Sequence, residues 1–485
     1  MGAIEDFICP DSGVSDDDLP LASIFTDDGV ELRKENGKSP SCFKEWHSSS
    51  LESFERYQYE VCPHIFSITD KTKAPHFDLE PEVILPFLLP GGEIRERLPS
   101  DDRIGAFGEL HLKEEGGIFA VKKLHKGKVN DWKLFKHEAD QLQKFNGRTS
   151  PHIVTLLATF SQDGEHFFIF PFAEADLCKY WETKSPPRHW EFTRWYADQL
   201  SGLIEAIFSI HFPNSSDSLQ PGQGKFGRHG DIKPDNILWF KSTSHAQGLF
   251  VVSDLGLSAL NSDKSKSNIP GQNVPPVPGY RPPECDIEQA KVSRLFDVWT
   301  MGCLYLEMIT WYLGGEDLRL EFENRRTTTF LITGGLTNQF YNLEASAEGQ
   351  GMFIQFIKPE VTKWIHRLRR HEACTEFVHD LIDIIERDMI VILADPPKRA
   401  DSRKLKRLFG NVREKCKKSR DYCELPAPRS IPRHLNVVKE GVCVRLDPVV
   451  VYQMSNHQQE GQVGQRVFKG NALRSARPEQ YQDAE

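Results

Sequence analysis

The sequence has no run of apolar residues that approaches the roughly 18 to 20 needed to cross a bilayer. Its N-terminus, with Glu5 and Asp6 close to Met1, lacks the basic start and apolar stretch of a signal peptide. The 10 cysteines are scattered, without a C-x-x-C pair or a His at zinc spacing, which argues against a zinc site or a disulfide framework. We therefore expect an intracellular protein with reduced thiols and no membrane association.

An excess of positive charge is also lacking, because 60 Lys and Arg face 70 Asp and Glu for a net charge of −10. A surface that binds nucleic acid by neutralising phosphates would need the opposite balance, so no nucleic-acid partner is expected. No internal repeat is visible. The hydrophobic fraction of 39% and the charged fraction of 27% are those of an ordinary folded protein.

The composition changes along the 485 residues. Residues 1–50 are rich in Asp, Ser and Gly, which predicts a disordered acidic tail, and the aromatic residues of 51–94 predict an extension that packs on the domain that follows. Strand-like runs and one helix dominate 95–173, whereas helical patterns dominate 174–410. A basic run then leads into a polar tail, 411–485, which we expect to be partly disordered.

The most informative stretch is His229-Gly230-Asp231-Ile232-Lys233-Pro234-Asp235-Asn236. It resembles the catalytic loop of protein kinases, with Gly230 in the place of the usual Arg. A carboxylate at Asp231 can orient an acceptor hydroxyl and take its proton, Lys233 can neutralise phosphate charge, and Asn236 can ligate Mg²⁺. The segment Val251-Val252-Ser253-Asp254-Leu255-Gly256 resembles the following D-F-G element, in which Asp254 would bind Mg²⁺ and Leu255 replaces Phe.

Upstream segments resemble the nucleotide-binding half of the same family. Ile104 to Leu110 is similar to the end of the Gly-rich loop, with Arg103 at the first glycine position, and Phe119-Ala120-Val121-Lys122 is similar to V-A-I-K. Lys122 would contact the ATP phosphates and pair with Glu138 of the predicted helix 131–145. The resemblance implies the following nucleotide-site residues: Gly105, Gly108, Leu110, Ala120, Lys122, the gatekeeper Phe170, the hinge Pro171, Phe172 and Ala173, and Leu238.

Downstream, Gly279 to Glu284 resembles the end of the activation segment, and Asp297-Val298-Trp299 resembles the start of the central helix of the second lobe. Glu284 and Arg399 are expected to form a buried ion pair, because a buried charge is costly without a partner. The resemblance gives structural roles to His229, Leu142, Leu255, Glu284, Asp297 and Arg399.

Taken together, these segments identify an α+β protein with a bilobal protein-kinase-like fold: a β-rich N-lobe at 95–173 and a mostly helical C-lobe at 174–410, with an insert at 313–360. ATP and Mg²⁺ are the implied cofactors, and a protein Ser/Thr hydroxyl is the implied acceptor, since Lys233 favours Ser/Thr over Tyr. The variant with Gly230 and a long N-terminal extension is similar to protein-kinase-like proteins of filamentous fungi.

Two other functions stay open at this point. His-Gly-Asp followed five residues later by Asn is also found in small-molecule phosphotransferases of the aminoglycoside and choline kinase type. Arg103, Gly230 and Leu255 depart from the kinase pattern, as they would in an ATP-binding pseudokinase scaffold. Gly230 also cannot hold a phosphorylated activation loop as Arg does, which predicts activity independent of phosphorylation there.

Overall fold

The fold is seen in a computed structural model of the chain. The structure describes residues 21–26, 29–34, 37–61, 66, 72–81, 83, 85, 106–110, 117–124, 131–146, 150–213, 225–242, 245–255, 261–262, 269–270, 279–288, 291–331, 334–347, 349, 352–394, 398–429, 441–448 and 450. The helices are α1 (Ser48–Val61), α2 (Asp131–Gln143), α3 (Leu177–Thr183), α4 (Trp190–His211), α5 (Leu295–Arg326), α6 (Pro359–Arg369), α7 (Glu376–Ile384), α8 (Ser402–Lys418) and α9 (Arg420–Glu424).

The strands are short, with at most seven residues each among those described. They are β1 (Ala22–Thr26), β2 (Gly29–Arg33), β3 (His76–Asp78), β4 (Ala106–Leu110), β5 (Gly117–Lys123), β6 (Ala158–Gln162), β7 (Glu165–Pro171), β8 (Ala175–Asp176), β9 (Lys225–Phe226), β10 (Ile237–Phe240), β11 (Leu249–Val252), β12 (Asn261–Ser262), β13 (Ile269–Pro270), β14 (Lys291–Val292), β15 (Thr328–Thr329), β16 (Leu336–Thr337), β17 (Tyr341–Ala345), β18 (Met352–Ile357) and β19 (Val442–Arg445).

The chain forms two compact units, of which the first comprises residues 1–175 and 238–256. Its main sheet has the order β3-β6-β7-β5-β4, with β3 parallel to β6 and the other pairs antiparallel. Side chains alternate between the two faces of a strand, so Phe119 and Val121 of β5 are buried on one face while Lys122 points to the other. The sheet therefore offers one face to an apolar core and the other to helix α2.

The apolar core of this sheet includes residues from the N-terminal extension. Phe66 and Leu85 are buried in the same cluster as Phe119, Phe160 and Ile169. On the opposite face, Phe135 of α2 lies 4.9 Å from Phe168, ring centre to ring centre. Phe66 and Leu85 of the N-terminal extension thus pack against the sheet.

The first unit differs from the sequence analysis in two places. Within the expected tail 1–50, β1 and β2 form a hairpin, and Leu21, Leu32 and Phe43 share an apolar cluster with Phe54 of α1. The acidic residues dominate the composition of the tail, so its few apolar residues were not recognised as a possible core. These few residues are enough to form a small apolar cluster. Strand β11 also belongs to this unit, not to the helical part, because Val154 N–H donates to the Val252 carbonyl at 2.9 Å.

The second unit, residues 176–237 and 257–485, is mostly helical. Helix α5 is buried along most of its first five turns, which explains why its sequence from Val298 to Leu313 is mostly apolar and has Glu307 as its one charged residue. It is kinked at Gly315, whose φ of 71° lies in the left-handed region that glycine adopts without a steric penalty. None of the described helices is long and apolar enough to cross a membrane.

The predicted insert, 313–360, carries the end of α5 and two hairpins, β15–β16 and β17–β18. Strand β19, from the predicted C-terminal tail, pairs antiparallel with β18, so the C-terminal segment completes a three-stranded sheet of the order β17-β18-β19. Helices α8 and α9 lie at the junction of the domain and this tail. The tail is therefore ordered where the structure describes it.

Candidate functional site

Lys122, Glu138 and Asp254 meet in the first unit. Lys122 Nζ lies 2.8 Å from Glu138 Oε1 and 3.1 Å from Asp254 Oδ1. Strand β5 directs Lys122 to the face covered by α2, and Glu138 faces inward from that helix and is buried. The predicted contact between Lys122 and Glu138 is present, and Asp254 joins it.

The electrostatics of this group favour a charged lysine. Burial alone would lower the pKa of Lys122, but the carboxylates of Glu138 and Asp254 outweigh this effect and raise it. Asp254 itself has a φ of 56°, a left-handed backbone conformation that is uncommon for residues other than glycine. A fixed cation beside two carboxylates is an arrangement that can bind and orient phosphate oxygens.

Asp231, Lys233 and Asn236 meet in the second unit. A short 3₁₀ turn, Pro234–Asn236, folds Asn236 back so that its Nδ2 donates to the Asp231 carbonyl at 2.7 Å and to Asp231 Oδ2 at 2.9 Å. Lys233 Nζ lies 3.1 Å from the same Oδ2. The turn thus holds a carboxylate, an ammonium and an amide together, as the motif predicts.

Asp297 supports this loop from α5. Its carboxylate accepts from the backbone N–H of His229 at 2.8 Å and of Gly230 at 2.9 Å, and from His211 Nε2 at 2.8 Å. Burial would raise the pKa of Asp297, but the hydrogen bond from His211 and the electrostatic effects of His211 and His229 outweigh burial and lower this pKa. A buried carboxylate with three donors fixes the backbone that leads to Asp231.

Glu284 and Arg399 form the buried pair that the sequence predicts. Arg399 Nη1 donates to Glu284 Oε1 at 2.7 Å, and Nη2 donates to Oε2 at 3.0 Å. The guanidinium also donates to the carbonyls of Leu295 and Val391. Such a two-pronged pair with its remaining donors satisfied is an architectural contact.

The other predicted nucleotide-site residues fall in or beside strands of the first unit. Ala120 in β5 lies opposite Phe170 in β7, and both are half-buried. The remaining half-buried positions are Pro171, Phe172 and Ala173 at the end of β7 and Leu238 in β10, while Leu142 and Leu255 are buried. Gly108 and Leu110 lie in β4, whereas Gly105 and Gly256 lie outside the described residues.

Sequence reasoning missed His211, the side-chain partner of Asp297. His211 is the last residue of α4 and its ring also contacts Ser402 Oγ at 2.9 Å. A histidine at the end of a helix is common for reasons of charge alone, so its sequence position carries no separate signal. Its role depends on a partner 86 residues away.

A sequence model of the protein kinase domain matches residues 104–383, which is more than half of the chain. The chain belongs to the protein kinase family. The β-rich first unit and the mostly helical second unit confirm the predicted fold class.

Several curated kinases are similar to this chain. The serine/threonine-protein kinase SSN3 of Coccidioides immitis is 23% identical over 222 residues, 44% of each chain. A cAMP-dependent protein kinase catalytic subunit of Arthrobotrys oligospora is 22% identical over 271 residues, 54% of this chain and 45% of the relative. A probable cell division protein kinase of Encephalitozoon cuniculi is 26% identical over 211 residues, which are 42% of this chain and 58% of the relative. The chain spans about half the length of the curated relatives it matches.

Proposed function

We propose that this chain transfers the γ-phosphoryl group of ATP to Ser and Thr hydroxyls of proteins. The observation that carries the proposal is the contact of Lys122 with both Glu138 and Asp254, because phosphoryl transfer in kinases requires this lysine and these two carboxylates. The relatives named as serine/threonine-protein kinases support the choice of acceptor. Retention of Lys233 beside Asp231 supports it as well.

The donor atoms of the chain suit ATP and Mg²⁺. Asp254 supplies carboxylate oxygens and Asn236 an amide oxygen, the hard ligands that Mg²⁺ prefers, and Lys122 supplies a charge for phosphate oxygens. When bound, Mg²⁺ neutralises negative charge on the phosphates. Asp231 would orient the acceptor hydroxyl and accept its proton, while Lys233 would stabilise charge on the transferred group.

The test compares the full chain with Asp231→Asn in a phosphoproteomic assay with ATP and Mg²⁺. General-base catalysis is worth about 10²- to 10⁴-fold, so phosphorylation of Ser and Thr should fall by at least that order in the variant. Asp235→Asn is the matched control, because Asp235 is an exposed carboxylate of the same loop. Its rate should equal that of the wild type.

Other outcomes would contradict the proposal. Transfer to choline or an aminoglycoside, without transfer to protein, would indicate a small-molecule phosphotransferase. A rise in melting temperature with ATP and Mg²⁺ that Asp254→Ala abolishes, without any transfer, would indicate a scaffold.

We also propose that transfer does not need phosphorylation of the activation segment, since Gly230 replaces the Arg that would bind the phosphate. Ser258, Ser265 and Ser267 lie outside the described residues, and Ser262 is at the end of β12. Replacing all four with Ala should leave turnover unchanged, whereas a collapse of the rate would contradict the proposal.

A further inference from the structure

Residues 72–79 of the N-terminal extension, the clamp segment, lie along the edge of the main sheet of the first unit. Strand β3 of this segment pairs parallel with β6, in the register His76 opposite Thr159 and Asp78 opposite Ser161. Thr159 N–H donates to the Pro75 carbonyl and Leu79 N–H to the Ser161 carbonyl, both at 2.9 Å. Without β3, strand β6 would be the edge strand of this sheet, and an edge strand has free N–H and C=O groups that can pair with another strand. These main-chain hydrogen bonds fix the position of the clamp segment on the sheet.

The clamp segment also binds the last turn of helix α2. Gln143 Oε1 accepts from Ala74 N–H at 2.8 Å, and Gln143 Nε2 donates to the Thr72 carbonyl at 2.7 Å. One amide side chain therefore satisfies both a donor and an acceptor of the clamp backbone. This pairing is specific to an amide, since a carboxylate could accept but not donate.

At the other end of α2, the contact is made by His76. Its ring centre lies 5.5 Å from that of Trp132 and 5.5 Å from that of Phe135. His76 Nδ1 contacts Thr159 Oγ1 at 2.9 Å, so the ring is held from the side of the sheet. The outward side of α2 is open here, with Trp132 44% and Leu134 57% exposed.

These two contacts flank Glu138, the residue of α2 that binds Lys122. Phe135 precedes Glu138 by three residues and Gln143 follows it by five, so both ends of the helix are tied to one segment of the extension. A helix of about three and a half turns held at both ends cannot swing without breaking one of the ties. The distance between Glu138 and Lys122 is thereby coupled to the clamp segment.

We propose that Gln143 and His76 are positioning residues that keep Glu138 against Lys122 by anchoring α2 to the clamp segment. This inference rests on the proposed kinase function only for its catalytic consequence. The restraint of α2 by the clamp segment does not depend on the proposed kinase function. The N-terminal extension then supports Lys122 and Glu138 indirectly, through its contacts with α2.

The test uses the full chain with Gln143→Ala, and Gln162→Ala as matched control. Gln162 Nε2 also donates to the extension, to the Val83 carbonyl at 2.7 Å and the Glu80 carbonyl at 3.2 Å, but it does so from strand β6 and not from α2. Hydrogen exchange is measured over residues 131–143. We expect roughly tenfold faster exchange there in Gln143→Ala, from the loss of two hydrogen bonds, and wild-type exchange in the control.

Equal exchange in both variants, or unchanged exchange in Gln143→Ala, would overturn the inference. A second readout is the KM for ATP, which should rise about tenfold in Gln143→Ala and stay unchanged in Gln162→Ala. If no variant and no wild type transfers phosphate, the proposed function fails, while the exchange result still decides whether the clamp segment restrains α2.

Discussion

The Oδ1 atom of Asp297 accepts a hydrogen bond of 2.9 Å from the backbone N–H of Gly230, a residue whose φ is 85°. The left-handed conformation directs this N–H toward the buried carboxylate. For an L-residue with a Cβ atom this conformation costs roughly 1 to 2 kcal/mol. The glycine therefore suits the geometry that Asp297 imposes on the catalytic loop.

Replacement of Gly230 by Ala should lower the free energy of unfolding by about 1 to 2 kcal/mol, because the φ of 85° persists as long as Asp297 holds the N–H. Gly230→Asn should cost less, since Asn tolerates this region better. Urea unfolding measures both. Gly410→Ala is the control: Gly410 lies in α8 with open space where a Cβ would stand, so this change should stabilise by about 0.5 to 1 kcal/mol. Stabilisation by Gly230→Ala would contradict the prediction.

Arg399→Met should be strongly destabilising. It leaves the Glu284 carboxylate buried without the guanidinium that now binds both of its oxygens, a loss of roughly 3 to 5 kcal/mol. The double variant with Glu284→Gln should recover part of this loss. Arg420→Met is the control, because Arg420 is exposed in its pair with Glu424 and its replacement should change the free energy of unfolding little. Equal losses for the two Arg variants in urea unfolding would be inconsistent with a buried brace.

The sequence predicted contacts within motifs far better than it predicted strand partners. Lys122 with Glu138, and Glu284 with Arg399, were predictable because each residue type occupies a recognisable motif and a buried charge needs a counter-charge. His76 could not be paired with Thr159 in advance, since a three-residue strand has no distinctive pattern and its partner is 83 residues away. Nonlocal pairing is decided by the packing of the whole sheet.

The N-terminal hairpin and strand β19 were missed for a related reason. The window that predicted a disordered tail averages a few apolar residues, such as Leu21 and Leu32, with many acidic ones. Strand β19 lies in the segment predicted as a polar tail, and its four residues carry no signal that identifies β18 as their partner. Local composition indicates whether a segment prefers water. The hairpin and strand β19 form because of their pairing and packing partners, which composition does not identify.

Truncation after Glu440 should destabilise the second unit. Strand β19 lies between β18 and the segment that follows Glu284, where Glu288 N–H donates to the Arg445 carbonyl at 2.9 Å and Asp447 N–H to the Asp286 carbonyl at 3.0 Å. Its loss also removes the buried side chains of Val444 and Leu446, a cost of roughly 3 to 6 kcal/mol.

The matched control for this truncation ends after Tyr452 and keeps the strand. It should melt at the wild-type temperature, whereas the chain that ends after Glu440 should melt several degrees lower. Melting of the two truncated chains at one temperature would show that β19 does not contribute to the stability of the fold.

Lys358 predicts a dependence of stability on pH. Its ammonium is buried and donates to the carbonyls of Arg326 and Thr337, both at 2.9 Å, and burial lowers its pKa from the ordinary 10.5 to about 8. Between these values the unfolded chain binds a proton that the folded chain does not. Since stability rises with pH wherever the unfolded state binds more protons, this residue's contribution should grow from pH 8 to pH 10.5 and be lost as the pH falls through 8.

The comparison with Lys358→Met isolates this contribution, because the other titrating groups are shared by both proteins. We expect the unfolding free energy of the wild type, minus that of Lys358→Met, to be constant below about pH 8 and to increase by about 1 kcal/mol between pH 8 and pH 9. Methionine also leaves the two carbonyls without a donor, which shifts the difference by the same amount at every pH. Urea unfolding at pH 7, 8 and 9 measures it. A difference that stays constant over this range would mean that Lys358 reaches water when it is charged.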